Sequence, residues 1–212
     1  MKYINSGKIN SIELNESNFF VLIDFDRAIT KGESISAWRV LYNSSSFDSN
    51  YKQAYDKIHD AAIPSDIVSD EIKSKIFAGR FKQYMELLKE NNFNINILNE
   101  TVRTTSLCLR DGAKEFFKKM NDLNIPVIII SSSIGNVIEE YLKVNNCYYS
   151  NMSICANYYD MDNGKALNEY TITPYNKDTI ILLDCINNLV KSKKYALLFR
   201  RHYRRYLHGA KR

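Results

Sequence analysis

Apolar residues fall along this chain in two kinds of run. Phe19–Phe25 (FFVLIDF) is almost unbroken, with the length and density expected of a strand buried in a parallel sheet. Pro126 opens a second such run, VIII, and SNMSICAN and YALLF read as two more strands. Elsewhere the apolar positions recur every three or four residues. DGAKEFFKKMNDLNI, SIGNVIEEYLKVNN and YNKDTIILLDCINNLVKS are therefore predicted to be amphipathic helices. The same spacing in SISAWRVLYNS, YKQAYDKIHDAA and SDEIKSKIFAGRFKQYMELLKENN predicts helices after the first strand, the last N-capped by Ser69 ahead of Asp70.

Strand, helix, strand, helix, strand, helix, strand is the order of a doubly wound, mostly parallel α/β sheet, a three-layer α/β/α arrangement. Ligands of such sheets bind at the carboxyl ends of the strands. The helical stretch after the first strand, roughly 75 residues, far exceeds the ~2–6 residues usual between elements of an α/β unit. It is read as an inserted helical cap. The expected division is a Rossmann-like core of residues 1–31 and 108–212 with a cap over 32–107.

Composition narrows the classes. The chain has 212 residues, enough for one domain with an insertion, and 45% hydrophobic with 25% charged residues is ordinary for a globular protein. No run reaches the ~18 apolar residues of a membrane span, and MKYINSGKINSIELN lacks the apolar core of a secretory signal. Cys108, Cys147, Cys155 and Cys185 form no C-x-x-C pair, which suits reduced thiols in a cytoplasm. The net charge of +5 comes from the end of the chain: without Arg200, Arg201, Arg204, Arg205, Lys211 and Arg212 the balance is 23 basic to 24 acidic residues. No membrane partner is expected, and no nucleic-acid partner except through that tail. The oligomeric state stays open.

Three segments carry candidate chemistry. Asp24 and Asp26 follow a buried strand, where residues i and i+2 face one side, so both carboxylates are expected to point into one site. Burying such charges is costly unless something neutralises them. Taken alone, the pair also fits two aspartates capping a turn. In VIIISSSIGN a buried strand runs into Ser131, Ser132 and Ser133 and then a helix, offering hydroxyls and helix N-terminal amides to an anion; serines are also ordinary N-caps. Lys177 stands at a predicted helix start, where a lysine is otherwise a solvated charge. Carboxylates, hydroxyls and a lysine at successive strand ends suit Mg²⁺-assisted phosphoryl transfer.

DFDRAIT, SSSIGNVIEEYL and YNKD, in that order, resemble the motifs of the haloacid-dehalogenase-type phosphatase superfamily, in particular the cytosolic pyrimidine-type 5′-nucleotidases. LRDGAKEFFKKM and ANYYDMDNGKA between them also look like that family. The resemblance implies a C1-type cap and a Mg²⁺-dependent phosphomonoester hydrolase acting on a nucleotide or another small phosphorylated metabolite. It implies Asp24 as nucleophile and Asp26 as general acid/base. It further implies Ser131, Ser132 and Lys177 as phosphate-binding groups, and Asp24 with the backbone carbonyl of Asp26 as metal ligands. His59, Arg80 and Tyr84 are candidates for substrate contact from the cap.

The chain departs from the pattern at Ala28, where a loop-steadying threonine is expected, and at Asn136, where an aspartate often stands. The family's tryptophan-bearing cap segment is not evident in FAGRFKQY. The fourth motif, G-D-x-x-x-D after a strand, is missing: YALLF is followed by RRHYRRYLHGAKR, which has no acid. Phe199–Leu207 can be written in AT-rich codons as TTT AGG AGA CAT TAT AGA AGA TAT TTA. Removing the A after TTT gives F-G-D-I-I-E-D-I, which contains that motif. Residues 200–212 are accordingly read as a non-native tail produced by a one-nucleotide frameshift. Three other readings remain open: a catalytically impaired relative that binds a ligand or partner, a phosphotransferase, and a native basic helix that binds nucleic acid.

Overall fold

A computed structural model describes residues 15–61, 69–168, 170–177 and 192–199. Its centre is a four-stranded parallel sheet of β1 (Phe19–Asp24), β2 (Val127–Ile134), β3 (Met152–Asn157) and β6 (Tyr195–Phe199), in the order β3-β2-β1-β6. Asp24 pairs in register with Ile130, and Ile23 with Phe199. The carboxyl ends of the two inner strands therefore finish side by side.

Alternation along the strands explains their unbroken apolar character. Phe19, Val21, Ile23, Val127 and Ile129 face the main core, where they meet α5 (Ala113–Asp122) through Phe117 and Met120, and α6 (Gly135–Val144) through Ile138 and Leu142. Phe20, Leu22, Ile128 and Ile130 face the other way and gather around Ile172. The helix expected through 175–192 lies outside the described residues over 178–191, as does the tail after Phe199.

The stretch after β1 is helical, as its periodicity predicts. It holds α1 (Ala37–Tyr42), α2 (Ser49–Asp60), the 21-residue α3 (Asp70–Glu90) and α4 (Ile95–Thr104). Side chains at the N-caps start each helix at a defined residue: Ser36, Asp48, Ser69 and Asn94 each accept a hydrogen bond from a backbone N–H in the first turn. Aromatic contacts tie the helices together, with Trp38 and Tyr84 rings 4.9 Å apart and Tyr55 and Tyr84 rings 4.8 Å apart. These helices share one continuous hydrophobic cluster with the α5–α6 face of the sheet.

A short hairpin, β4 (Tyr159–Asp160) and β5 (Lys165–Ala166), was not legible as strands. Its turn is built by Asp160, whose carboxylate accepts the N–H groups of Asp162 and Asn163, and by Gly164 at φ +64°. Asn136, the departure noted at the second motif, bonds both the N–H and the carbonyl of Tyr159 and so pins this hairpin to α6.

Gly135 opens α6 beneath the Tyr158 ring, and a Cβ there would sit 2.5 Å from a ring carbon. Gly135→Ala is expected to cost about 1–3 kcal/mol through overpacking. The same change should cost markedly less in a Tyr158→Ala background. Chemical denaturation of the four proteins checks this, and additive losses would rule the contact out as the cause.

Candidate active site

The chain leaves β1 through a five-residue turn, Phe25–Ile29, closed by a hydrogen bond from the N–H of Thr30 to the carbonyl of Phe25. Asp26 therefore lies in the turn rather than on the strand, and its approach to Asp24 comes from this turn and not from strand alternation. Arg27 takes the left-handed conformation, φ 65°, which the turn requires. The loop is not short of a steadying hydroxyl: Thr30, fully buried, accepts the N–H of Arg27 at 2.7 Å and does what Ala28 cannot. Arg110 clamps the same loop from outside, its guanidinium donating to the carbonyls of Arg27 and Ala28.

Both carboxylates are held. Asp24 Oδ1 accepts the N–H of Phe25 at 2.8 Å and pairs with Lys177 Nζ at 2.8 Å; the two side chains are 23% and 13% exposed. Asp26 Oδ1 accepts the N–H of Ala37 at 2.8 Å, and Oδ2 accepts the hydroxyl of Ser133 at 2.8 Å. Burial pushes the Asp26 carboxyl above the usual carboxylate range, while the Ala37 and Ser133 hydrogen bonds pull it back down. A carboxyl that keeps its proton to higher pH than usual is suited to donate one.

The serines divide their work. β2 runs through all three, with an irregularity in its pairing to β3 between Ile130 and Ile134. Ser131 is buried and its oxygen accepts the N–H of Ser133. The Ser132 carbonyl accepts the Trp38 indole at 3.3 Å and the Asn157 amide at 3.0 Å. Asn157 also bonds the N–H and the carbonyl of Ile172, which anchors the segment leading to Lys177. The sequence points to all three serines as anion-facing hydroxyls but not to Ser133 as the partner of Asp26, and it gives no role to Trp38 or Asn157. A polar residue ending a buried strand was the available signal for Asn157, and the sole tryptophan was the one for Trp38.

Beside these strand ends opens a cavity of about 320 Å³, within the size range of small-ligand pockets. Trp38, His59, Arg80 and Tyr84 line it from the helical side, Ser132 and Asn157 from the sheet side. The three cap candidates thus share one wall. Burial pushes the Tyr84 hydroxyl up to about 12, so it stays protonated at neutral pH. Arg80 Nε and Nη2 are buried without a hydrogen-bond partner among the described residues, which costs about 1–3 kcal/mol per unsatisfied group.

Magnesium prefers six oxygen ligands in an octahedron. Asp24 and the Asp26 carbonyl offer oxygens of the right kind. No group of three or more His, Cys, Asp or Glu side chains able to hold a metal occurs among the described residues. The donor set fits the ion in kind and falls short in number.

With this geometry in place, the comparisons are specific. The family model described as Pyrimidine 5′-nucleotidase (UMPH-1) matches residues 25–200. A 7-methylguanosine phosphate-specific 5′-nucleotidase of Gallus gallus is 31% identical over 100 residues, covering 46% of this chain and 35% of that protein. Form A of the Xenopus laevis enzyme of the same name is 25% identical over 175 residues, covering 77% of this chain and 60% of that protein. The chain thus spans less than two thirds of the length of these relatives. Among solved structures, cytosolic 5′-nucleotidase IIIB bound to cytidine superposes with a TM-score of 0.65 at 20% identity, over 86% of this chain and 65% of that one. A HAD-family hydrolase of Salmonella enterica serovar Typhi superposes with a TM-score of 0.51 at 11% identity, over 87% and 56%. At these identities both show the fold: a HAD-like α/β architecture with a mostly parallel central sheet.

The Lys177–Asp24 pair should register in stability. Lys177→Met strands a largely buried carboxylate, for an expected loss of about 1–3 kcal/mol, less than for a fully buried pair. Adding Asp24→Asn to that variant should recover most of the loss. Urea unfolding midpoints of the parent and the two variants decide it; no recovery in the double variant would mean the pair is not what Lys177 contributes.

Proposed function

The chain belongs to the pyrimidine 5′-nucleotidase (UMPH-1) family, and from that premise we propose that it hydrolyses a nucleoside 5′-monophosphate. One observation carries the reading. A strand-end aspartate, a lysine from a remote segment and a second aspartate that burial raises above the usual carboxylate range meet at the carboxyl ends of the inner strands. Asp24 attacks phosphorus, the bond from phosphorus to the ribose 5′ oxygen breaks, and Asp26 gives its proton to that oxygen. Asp26, now ionised, takes a proton from the water that splits the aspartyl-phosphate, regenerating Asp24 and releasing phosphate. Lys177 and the Ser131 hydroxyl bind the phosphoryl oxygens, and Ser132 lies beside them. Ser133 and the Ala37 N–H fix the orientation of Asp26. Bound magnesium, held in part by Asp24 and the Asp26 carbonyl, supplies positive charge to the transferring group.

Residues 32–107 serve in this reading as the cap, over a core of 1–31 and 108–212, and the cavity between Trp38 and Asn157 takes the nucleoside. The relatives' names, 7-methylguanosine phosphate-specific and cytosolic 5′-nucleotidase, favour a nucleotide substrate and a cytoplasmic setting. Asp24→Asn should reduce magnesium-dependent phosphate release by at least about a thousandfold while unfolding stays cooperative. Turnover near the parent's would overturn the nucleophile assignment.

The short donor set favours a second reading, a chain whose catalysis is impaired as it stands. Phe199, the last residue of β6, pairs with Ile23, directly before Asp24. Carboxylates just beyond Phe199 would therefore emerge near the nucleophile, and the shifted codon reading supplies them there. Replacing residues 200–212 with a segment beginning G-D-I-I-E-D-I should raise magnesium-dependent phosphate release at least about tenfold. It should also raise the thermal midpoint on adding magnesium. If neither rises, the basic tail is the native sequence.

A further inference from the structure

We propose that Thr30 is a positioning residue for the turn that carries Asp26: its buried hydroxyl keeps the peptide between Asp26 and Arg27 in an orientation that arginine does not favour by itself. The inference rests on the reading of Asp26 as acid/base with its carbonyl offered to a metal, and it deepens that reading by naming what aims the carbonyl.

The dihedral angles define the turn. Asp26 has φ −64° and ψ 118°, and Arg27 has φ 65° and ψ 9°. These match a type II turn, whose two central residues take about (−60°, 120°) and about (80°, 0°). Such turns take glycine at the second of those positions, because a side chain there crowds the backbone. Arginine is at ease in the type I form instead. The two forms differ by about half a rotation of the central peptide, here the one made of the Asp26 carbonyl and the Arg27 N–H. That flip leaves the Cα atoms nearly in place and reverses the carbonyl. The Asp26 carboxylate, held by the Ala37 N–H and the Ser133 hydroxyl, need not move with it. Left to local preference, the chain would keep its acid in place and turn the carbonyl away.

What opposes the flip is the bond from the Arg27 N–H to Thr30 Oγ1, 2.7 Å long. Thr30 is fully buried, so its oxygen meets that N–H with little competition from water. A trans peptide points its carbonyl opposite to its N–H, and this one bond therefore sets the direction of the Asp26 oxygen. Thr30 is itself fixed. Its N–H closes onto the Phe25 carbonyl at 3.2 Å, and it pairs with Leu109 in an antiparallel bridge. Arg110, next to Leu109, takes three consecutive carbonyls of the arm between the turn and Thr30. Its Nη2 donates to Arg27 at 2.9 Å, its Nε to Ala28 at 3.1 Å, and its backbone N–H to Ile29 at 2.9 Å. The guanidinium fork suits two neighbouring acceptors on one edge. The hydroxyl thus arrives on a braced arm and not on a free loop.

Amide hydrogen exchange followed by NMR on the full chain reads the bond directly, with or without turnover. Thr30→Val keeps the branched shape and removes the acceptor, and it should speed exchange of the Arg27 amide at least about tenfold. The Val21 amide, bonded to the Pro126 carbonyl within the sheet, should not change. Thr30→Ser should restore the slow rate. Thr30→Val should also lower kcat for magnesium-dependent phosphate release at least about tenfold with KM little changed. Adding Arg27→Gly should bring back most of that kcat, because glycine holds the left-handed form without the hydroxyl. If Thr30→Val does not fold, Arg110→Met, at an exposed side chain, loosens the same arm and should speed the same amide. An Arg27 amide that keeps the parent's rate in whichever variant folds, or a kcat that glycine fails to restore, overturns the proposal. A parent without turnover fails the catalytic reading alone, and the exchange rates then decide whether Thr30 locks the turn.

Discussion

The ion pair between Lys177 and Asp24 is the constraint on which the rest of the site turns. A carboxylate at the end of a strand whose other five residues are all buried is tolerable only if a cation or strong donors meet it. Lys177 comes from 153 residues further along the chain. To reach Asp24 it needs the segment before it fixed, and Asn157 fixes it by bonding both backbone groups of Ile172, while Asn176 accepts the N–H of Thr173. The pair is thus the end of a polar chain that begins where β3 ends. Loss of any link would loosen the charge balance at Asp24.

The helical insertion is not a separate lid resting on this arrangement. Its first helix begins with Ala37, whose N–H holds Asp26, and continues with Trp38, whose indole holds the Ser132 carbonyl. Two consecutive residues therefore bond to two of the motifs at the strand ends. Further along, Ser74 and Thr173 share a hydrogen bond at 2.9 Å, and Phe77 meets Tyr175 edge-on at 5.5 Å, so α3 touches the segment that carries Lys177. Any movement of these helices away from the sheet would disturb the hydrogen bonding of Asp26 and the lysine segment together.

Much of this was legible in the sequence because periodicity reports burial directly. FFVLIDF, VIII and YALLF have the near-continuous apolar character of strands in a parallel sheet, and the helix cap at Ser69 follows from local chemistry. What stayed hidden depends on tertiary approach. Ala28 reads as a lost hydroxyl, yet Thr30 restores one, because the tight turn brings residue 30 back to residue 27. Three serines in a row look equivalent; the pairing irregularity in β2 is what gives Ser133 to Asp26 and the Ser132 carbonyl to Trp38. Arg80 on a long helix reads as a solvated charge, and only the packing of Phe77 and Tyr84 around it shows that two of its donors are buried. The hairpin at Tyr159 was missed because two-residue strands carry no periodicity.

At the strand ends Asp24 and Asp26 face one lysine, which pairs with Asp24, while burial raises the Asp26 carboxyl above the usual carboxylate range. Arg80 lines the neighbouring cavity among aromatic rings, its Nε and Nη2 buried and unpaired among the described residues. The register of β6, which delivers Phe199 opposite Ile23, puts the end of that edge strand beside Asp24. Acids there would add oxygen ligands of the kind a divalent ion takes. Arginines there would add charge without a metal, and with it no fixed geometry for transfer. Charge placed at the end of β6 would therefore act directly on the Lys177–Asp24 pair.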